Sequence, residues 1–130
     1  MKIDYLNGCS YSMTVDGIEF VDLSEEKQKE VCHRIIGDNK CDFFTMKKFY
    51  EYYYECDKDL EFDDEEETNI DVMDDNKLKK LCNSSIDSEE CSEATLQTLV
   101  ECFMERNGRY KHLGYCNTCG SQNDNYTIEI

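Results

Sequence analysis

The chain has 130 residues, with 14 Lys plus Arg against 30 Asp plus Glu, a formal net charge of −16. That length holds one domain around one core, and the charge disfavours nucleic acid and anionic membranes as direct partners while favouring a basic protein surface. No run of about 18 apolar residues and no basic start followed by an apolar stretch occurs, so neither a membrane span nor a signal peptide is expected, and the chain is placed in the cytoplasm.

Residues 1–22 read as a β meander. Asn7-Gly8 lies between Lys2–Leu6 and Cys9–Val15, and Asp16-Gly17 lies between Val15 and Ile18, two strong signals for two-residue hairpin turns. Tyr11, Met13 and Val15 alternate with Ser12 and Thr14, as one half-buried strand face requires.

Residues 23–56 and 73–107 each read as a helical hairpin, and the second repeats the first. An offset of 50 superposes Lys27/Lys77, Lys29/Lys79, Cys32/Cys82, Ile36/Ile86, Cys41/Cys91, Thr45/Thr95, Glu51/Glu101 and Glu55/Glu105 without a gap. Ser24 and Asp74 are the N-caps predicted for the first helices, Asp42 and Ser92 for the second. Met46, Phe49, Tyr50 and Tyr53 recur at i, i+3, i+4 and i+7, and Leu96, Leu99, Val100 and Phe103 repeat the spacing, a stripe that belongs in a core rather than around a cofactor. Gly37 and Gly108 stand where left-handed C-caps are expected. Tyr52 and Tyr54 fall off the stripe, which predicts an exposed tyrosine edge suited to a protein interface.

Residues 57–72 form an acidic linker. Its dense stretch, Asp63, Asp64, Glu65, Glu66 and Glu67, has two readings: a self-repelling solvated connection, or a row of carboxylates that imitates the phosphates of a nucleic acid. An EF-hand is rejected, because the sixth-position Gly and the spaced Glu are missing.

Residues 108–130 hold a knuckle and a last strand. Tyr126, Ile128 and Ile130 alternate with Thr127 and Glu129, predicting a strand that returns to the N-terminal sheet. In Cys116-Asn117-Thr118-Cys119-Gly120, two thiols two residues apart with a turn-relieving Gly can supply half a tetrahedral zinc site. His112 is the candidate third ligand, with Cys9, Cys102 or His33 as a fourth if the fold brings one close. Unligated packed thiols and a redox pair remain alternatives, so the cofactor expectation is none or one structural zinc.

Nine cysteines, an odd number without an export signal, argue against a complete disulfide framework. Cys32/Cys41 and Cys82/Cys91 could face each other across their turns, but small buried thiols at a tight helix junction are the preferred reading. No Walker loop, G-x-G-x-x-G, H-E-x-x-H or G-x-S-x-G is present, so an enzyme is not expected.

The segment Gly108-Arg109-Tyr110 through Gly114-Tyr115-Cys116-Asn117-Thr118-Cys119-Gly120, followed by Tyr126-Thr127-Ile128-Glu129-Ile130, resembles the tail of small uncharacterised proteins of phages and mobile elements in low-GC bacteria. The short, acidic, cysteine-tolerant profile is also similar to that of phage anti-defence proteins of the anti-CRISPR type. The charge, the predicted tyrosine edge and the missing catalytic motifs, together with that profile, point to an inhibitor that blocks the basic nucleic-acid-binding surface of a host protein such as a defence nuclease. Asp63 to Glu67 would stand in for phosphates, and Tyr52 and Tyr54 would serve as anchors. A zinc-stabilised structural or adaptor module is the first alternative, and a secreted disulfide-bonded effector the second. The expected fold is α+β, a small antiparallel sheet packed with two repeated helical hairpins.

Overall fold

The computed structural model describes residues 1–56 and 72–130, with residues 54–56 described by backbone alone. Each helix starts at the polar residue its sequence marks. Ser24 Oγ accepts the Lys27 N–H ahead of α1, Glu25–Gly37, and Asp74 Oδ1 accepts the Lys77 N–H ahead of α3, Asp75–Asp87. Asp42 and Ser92 accept the Thr45 and Thr95 N–H groups and open α2, Phe43–Cys56, and α4, Glu93–Asn107. Each cap satisfies a donor that a helix end leaves orphaned, a contribution of about 1 kcal/mol. The helices of the two hairpins therefore begin in register at the 50-residue offset, and their predicted stripes are buried together: Met46, Phe49, Tyr50 and Tyr53 with Leu96, Leu99, Val100 and Phe103.

The hairpins interlock. The Cys32 thiol donates to the Leu96 carbonyl, and the Cys82 thiol to the Met46 carbonyl, both at 3.6 Å. Cys32, Cys41, Cys82 and Cys91 are buried free thiols, in line with the sequence pattern. Burial first, then the neighbouring Cys91, pushes the Cys32 thiol well above its ordinary value, and burial and then Cys41 push Cys82 up to about 12. His33 of α1 reaches α3, with Nδ1 2.7 Å from Asn83 Oδ1 and Nε2 2.7 Å from Asp87 Oδ1.

The expected left-handed C-caps do not form. Gly37 is the last residue of α1 and Asp38, in extended conformation, is its cap, while Gly108 caps α4 at φ −70° and ψ 151°. What demands glycine at 108 is space, because a Cβ there would sit 2.5 Å from the Met104 carbonyl oxygen and 3.0 Å from Tyr126 Cβ.

Among the described residues, five antiparallel strands lie in the order β3-β2-β1-β5-β4: β1 Lys2–Asn7, β2 Ser12–Val15, β3 Ile18–Glu19, β4 Arg109–Tyr115 and β5 Gln122–Glu129. Asp16 and Gly17, both at positive φ, make the predicted two-residue turn between β2 and β3. The Asn7-Gly8 turn is different. β1 and β2 pair from Leu6 against Ser12, so a longer loop of residues 8–11 replaces the tight turn. β4 is an additional strand that the sequence pattern missed, since almost every residue in it is exposed and no alternation results.

Paired positions form rows across the sheet. Val15, Ile3 and Ile128 make one row, and Met13, Tyr5, Tyr126 and Tyr110 the next. The second row emerges from the core toward β4: Tyr5 is buried, Tyr126 partly buried and Tyr110 exposed, with ring centroids 5.8 and 5.4 Å apart along it. Ile3, Tyr5, Met13, Val15 and Ile128 join the buried helical residues in one cluster, so a single core holds sheet and helices together. Among the described residues no helix is long and apolar enough to cross a membrane.

Candidate metal centre

The pairing of β1 with β5 ends at Asn7 against Asp124, and beyond it two loops meet. Gly8 makes their approach possible: its φ is +151°, and a Cβ there would collide with Asn123 Oδ1 and lie 2.7 Å from the Gln122 carbonyl oxygen. The next residue, Cys9, donates its N–H to Asn123 Oδ1 at 2.9 Å, which pins the β1–β2 loop to the start of β5. On the other side β4 and β5 are joined by the knuckle. The Cys116 N–H donates to the Ser121 carbonyl at 2.8 Å, the Gly120 N–H donates to the Cys116 carbonyl at 2.9 Å, and Gly120 takes the left-handed φ of +71° that closes the turn.

The result is a trio. The Sγ atoms of Cys9, Cys116 and Cys119 all lie within 4.8 Å of one another, with Cys9 and Cys116 at 3.1 Å. Thiolates held tetrahedrally about 2.3 Å from zinc are separated by about 3.8 Å, inside the span this trio covers.

The electrostatics favour anionic sulfur at Cys116 and Cys119 and a neutral thiol at Cys9. Cys116 is pushed down to about 6, first by the Cys119 N–H and then by hydrogen bonds from Cys9 and the Thr118 N–H. Cys119 is lowered by the hydroxyl and then the N–H of Ser121. Cys9 is raised to about 12, because hydrogen bonds to Cys116 and Cys119, and next their negative charge, favour its neutral thiol. Three adjacent sulfurs, two of them held toward the thiolate, make a soft donor set. The cluster could hold a metal ion. No family model, curated protein or solved structure matches the chain.

Of the ligands expected from sequence, Cys116 and Cys119 are in the trio and His112 is not. His112 Nδ1 lies 3.3 Å from Asp124 Oδ1, and its ring packs edge-on to Tyr115, so Cys9 takes the place assigned to it. His33 is committed to Asn83 and Asp87, and Cys102 is half buried in α4, beside Thr45. Cys9 was a candidate only on condition that the fold delivered it, and the delivery depends on the β1–β5 pairing.

The expected partner-binding residues are distributed differently. Asp63, Asp64, Glu65, Glu66 and Glu67 lie outside the described residues, as does the side chain of Tyr54. Tyr52 is half buried, lining with Phe44, Glu51, Glu101 and Glu105 an open groove of about 450 Å³ between α2 and α4. The exposed tyrosines among the described residues are Tyr11, Tyr110 and Tyr115, which lie on or beside the sheet. Tyr11 donates to Glu101, and Tyr5 donates to Glu105 at 3.4 Å, coupling the sheet to α4.

Proposed function

We propose that this chain is a zinc-stabilised protein-interaction module that acts by binding rather than by catalysis. The observation that carries the reading is the arrival of Cys9 beside Cys116 and Cys119, which turns half a zinc knuckle into a three-thiolate set joining two loops at one end of the sheet. Soft thiolates select zinc over the hard divalent cations. The metal would stabilise the folded chain because the unfolded one does not hold these sulfurs together. The experiment is a titration of zinc into metal-free protein. One zinc per chain is expected. With free zinc at about 100 times its dissociation constant the gain is about 2.7 kcal/mol, which at roughly 3 °C per kcal/mol for a domain of this size raises the melting temperature by about 8 °C. Cys116→Ser should abolish the response. A melting temperature indifferent to both zinc and chelator would overturn the reading.

A second reading, compatible with the first, concerns the partner: an acidic, phage-type anti-defence inhibitor, anti-CRISPR-like in action, that occupies a basic nucleic-acid-binding surface. What favours it is the charge of −16, of which −8 falls within residues 57–71. Such an inhibitor should capture a basic nucleic-acid-binding protein from a bacterial lysate and be displaced by duplex DNA, with association slowing as salt rises. Reversing Asp63, Asp64, Glu65, Glu66 and Glu67 to Lys should remove the binding and leave the melting temperature within a few degrees. Capture unchanged by the reversal would sink this reading and leave the zinc module untouched.

A further inference from the structure

Tetrahedral zinc takes four donors, and a site with three protein ligands keeps its last position for an outside molecule. Among the described residues the trio is Cys9, Cys116 and Cys119, with no fourth Cys, His, Asp or Glu in the cluster. Resting on the zinc reading above, we propose that the fourth coordination position opens to solvent and takes a soft donor from outside the chain, a thiolate ahead of an imidazole.

The surroundings support an open position rather than a missing internal ligand. Cys9 and Cys119 are exposed and Cys116 partly so. A Cβ built on Gly114 or Gly120, on either side of the knuckle, would meet nothing within 4 Å among the described residues, so the backbone there is open. Ser121 Oγ, 3.2 Å from Cys119 Sγ, is a neutral hydroxyl and a weak zinc ligand. The imidazole closest in sequence, His112, is turned to Asp124 and Tyr115. On β4, which leads into the knuckle, Leu113 is 50% exposed and Tyr115 68% exposed, so the strand beside it in sequence offers apolar area to an incoming group. Three soft thiolates already on the ion favour a further soft, polarisable donor over a hard oxyanion. On binding, an external thiol loses its proton to solvent, its sulfur bonds the metal and a bound water leaves. No oxidation is involved.

Cobalt(II) reports on this directly, because its absorption depends on the number of thiolates bound. The full chain, freed of metal and loaded with one cobalt, should show three-thiolate absorption. Adding N-acetylcysteine should then raise the sulfur-to-metal band by roughly a third, in proportion to a fourth thiolate, and imidazole should shift the ligand-field bands without that rise. Light scattering on the same samples separates two sources of the donor. A monomer that responds to N-acetylcysteine takes a small thiol, whereas a cobalt-dependent dimer with four-thiolate absorption before any addition takes the cysteine of a second copy; either result supports an external donor. A monomer with four-thiolate absorption from the start, unresponsive to N-acetylcysteine, would overturn the inference and place the fourth ligand within the chain; Cys56→Ser would then test that residue. Failure to bind cobalt or zinc at all would overturn the zinc reading itself, a result distinct from the previous one.

Discussion

Replacing Asp42 should separate a helix cap from a salt bridge, because the repeat provides an internal control. Asp42 Oδ1 accepts from the N–H and the hydroxyl of Thr45, both at 2.9 Å, while Oδ2 lies 2.7 Å from Arg106 Nε at the end of α4. The equivalent cap, Ser92, accepts from the Thr95 N–H at 3.2 Å. Losing a cap costs about 1 kcal/mol. The pair is exposed, with side-chain accessibilities of 43% for Arg106 and 37% for Asp42, so solvent screening holds it to about 0.5 kcal/mol. Asp42→Ala should therefore cost about 1.5 kcal/mol, and Asp42→Ser, which installs the Ser92 arrangement, about 0.5 kcal/mol. At roughly 3 °C per kcal/mol the two melting temperatures should fall by about 5 and 2 °C, measured at pH 7 and confirmed by urea unfolding. Acid adds a second test. Partial burial pushes the Asp42 carboxyl up, but the Thr45 N–H, the Arg106 hydrogen bond and the Thr45 hydroxyl outweigh it and hold the group below its ordinary 3.8. A depressed folded-state value means that the stabilisation is complete above the unfolded value and is lost as pH falls through the folded one. The difference between wild type and Asp42→Ser should thus be constant from pH 7 to about 5 and shrink below about 4. The reasoning fails if Asp42→Ser is as unstable as Asp42→Ala, or if the difference persists unchanged at pH 2.

Two glycines at helix ends should respond oppositely to the same substitution. Gly108→Ala forces a methyl against the Met104 carbonyl oxygen and should cost at least about 2 kcal/mol in urea unfolding. Gly37→Ala meets nothing within 4 Å, sits in helical backbone and should be neutral or gain up to about 1 kcal/mol, so a large loss there would contradict the helix end described.

The helical half of the molecule was legible because its signals are local. Caps three residues from their targets and stripes at i, i+3, i+4 and i+7 depend on neighbours within the same hairpin, and both recur at the 50-residue offset. The sheet was half legible. β2 buries alternate residues and β5 alternates apolar with polar residues over Tyr126 to Glu129, whereas Arg109 to Tyr115 is almost wholly exposed and so leaves no period to read. Asn7-Gly8 carried the composition of a tight turn but serves another purpose, since Gly8 lets the chain pass against Gln122 and Asn123. The candidate centre was harder still. Cys116 and Cys119 declare themselves by spacing, but Cys9 lies 107 residues away from Cys116 and joins them through the pairing of Ile3 with Ile128 and Asn7 with Asp124. Long-range register of that kind is fixed by the buried rows of the sheet, and no short motif encodes it.

The reciprocal contacts between the hairpins have the form of an isologous dimer interface carried inside one polypeptide. Position 32 of one copy meets position 96 of the other, and 82 meets 46, the pattern that arises when identical subunits pack about a two-fold axis. A true homodimer must place the same residue on both sides of such an axis, so whatever stands there has to complement itself. Joining the copies removes that demand. His33 and Asn83 are equivalent positions that face each other at 2.7 Å, and each has the chemistry the other needs, a ring nitrogen against an amide oxygen. Two histidines or two asparagines would be the symmetric choices. Carrying both hairpins in one chain thus gives this interface access to mismatched, mutually complementary pairs, and it ties the acceptable residue at each such position to the identity of its counterpart 50 residues away.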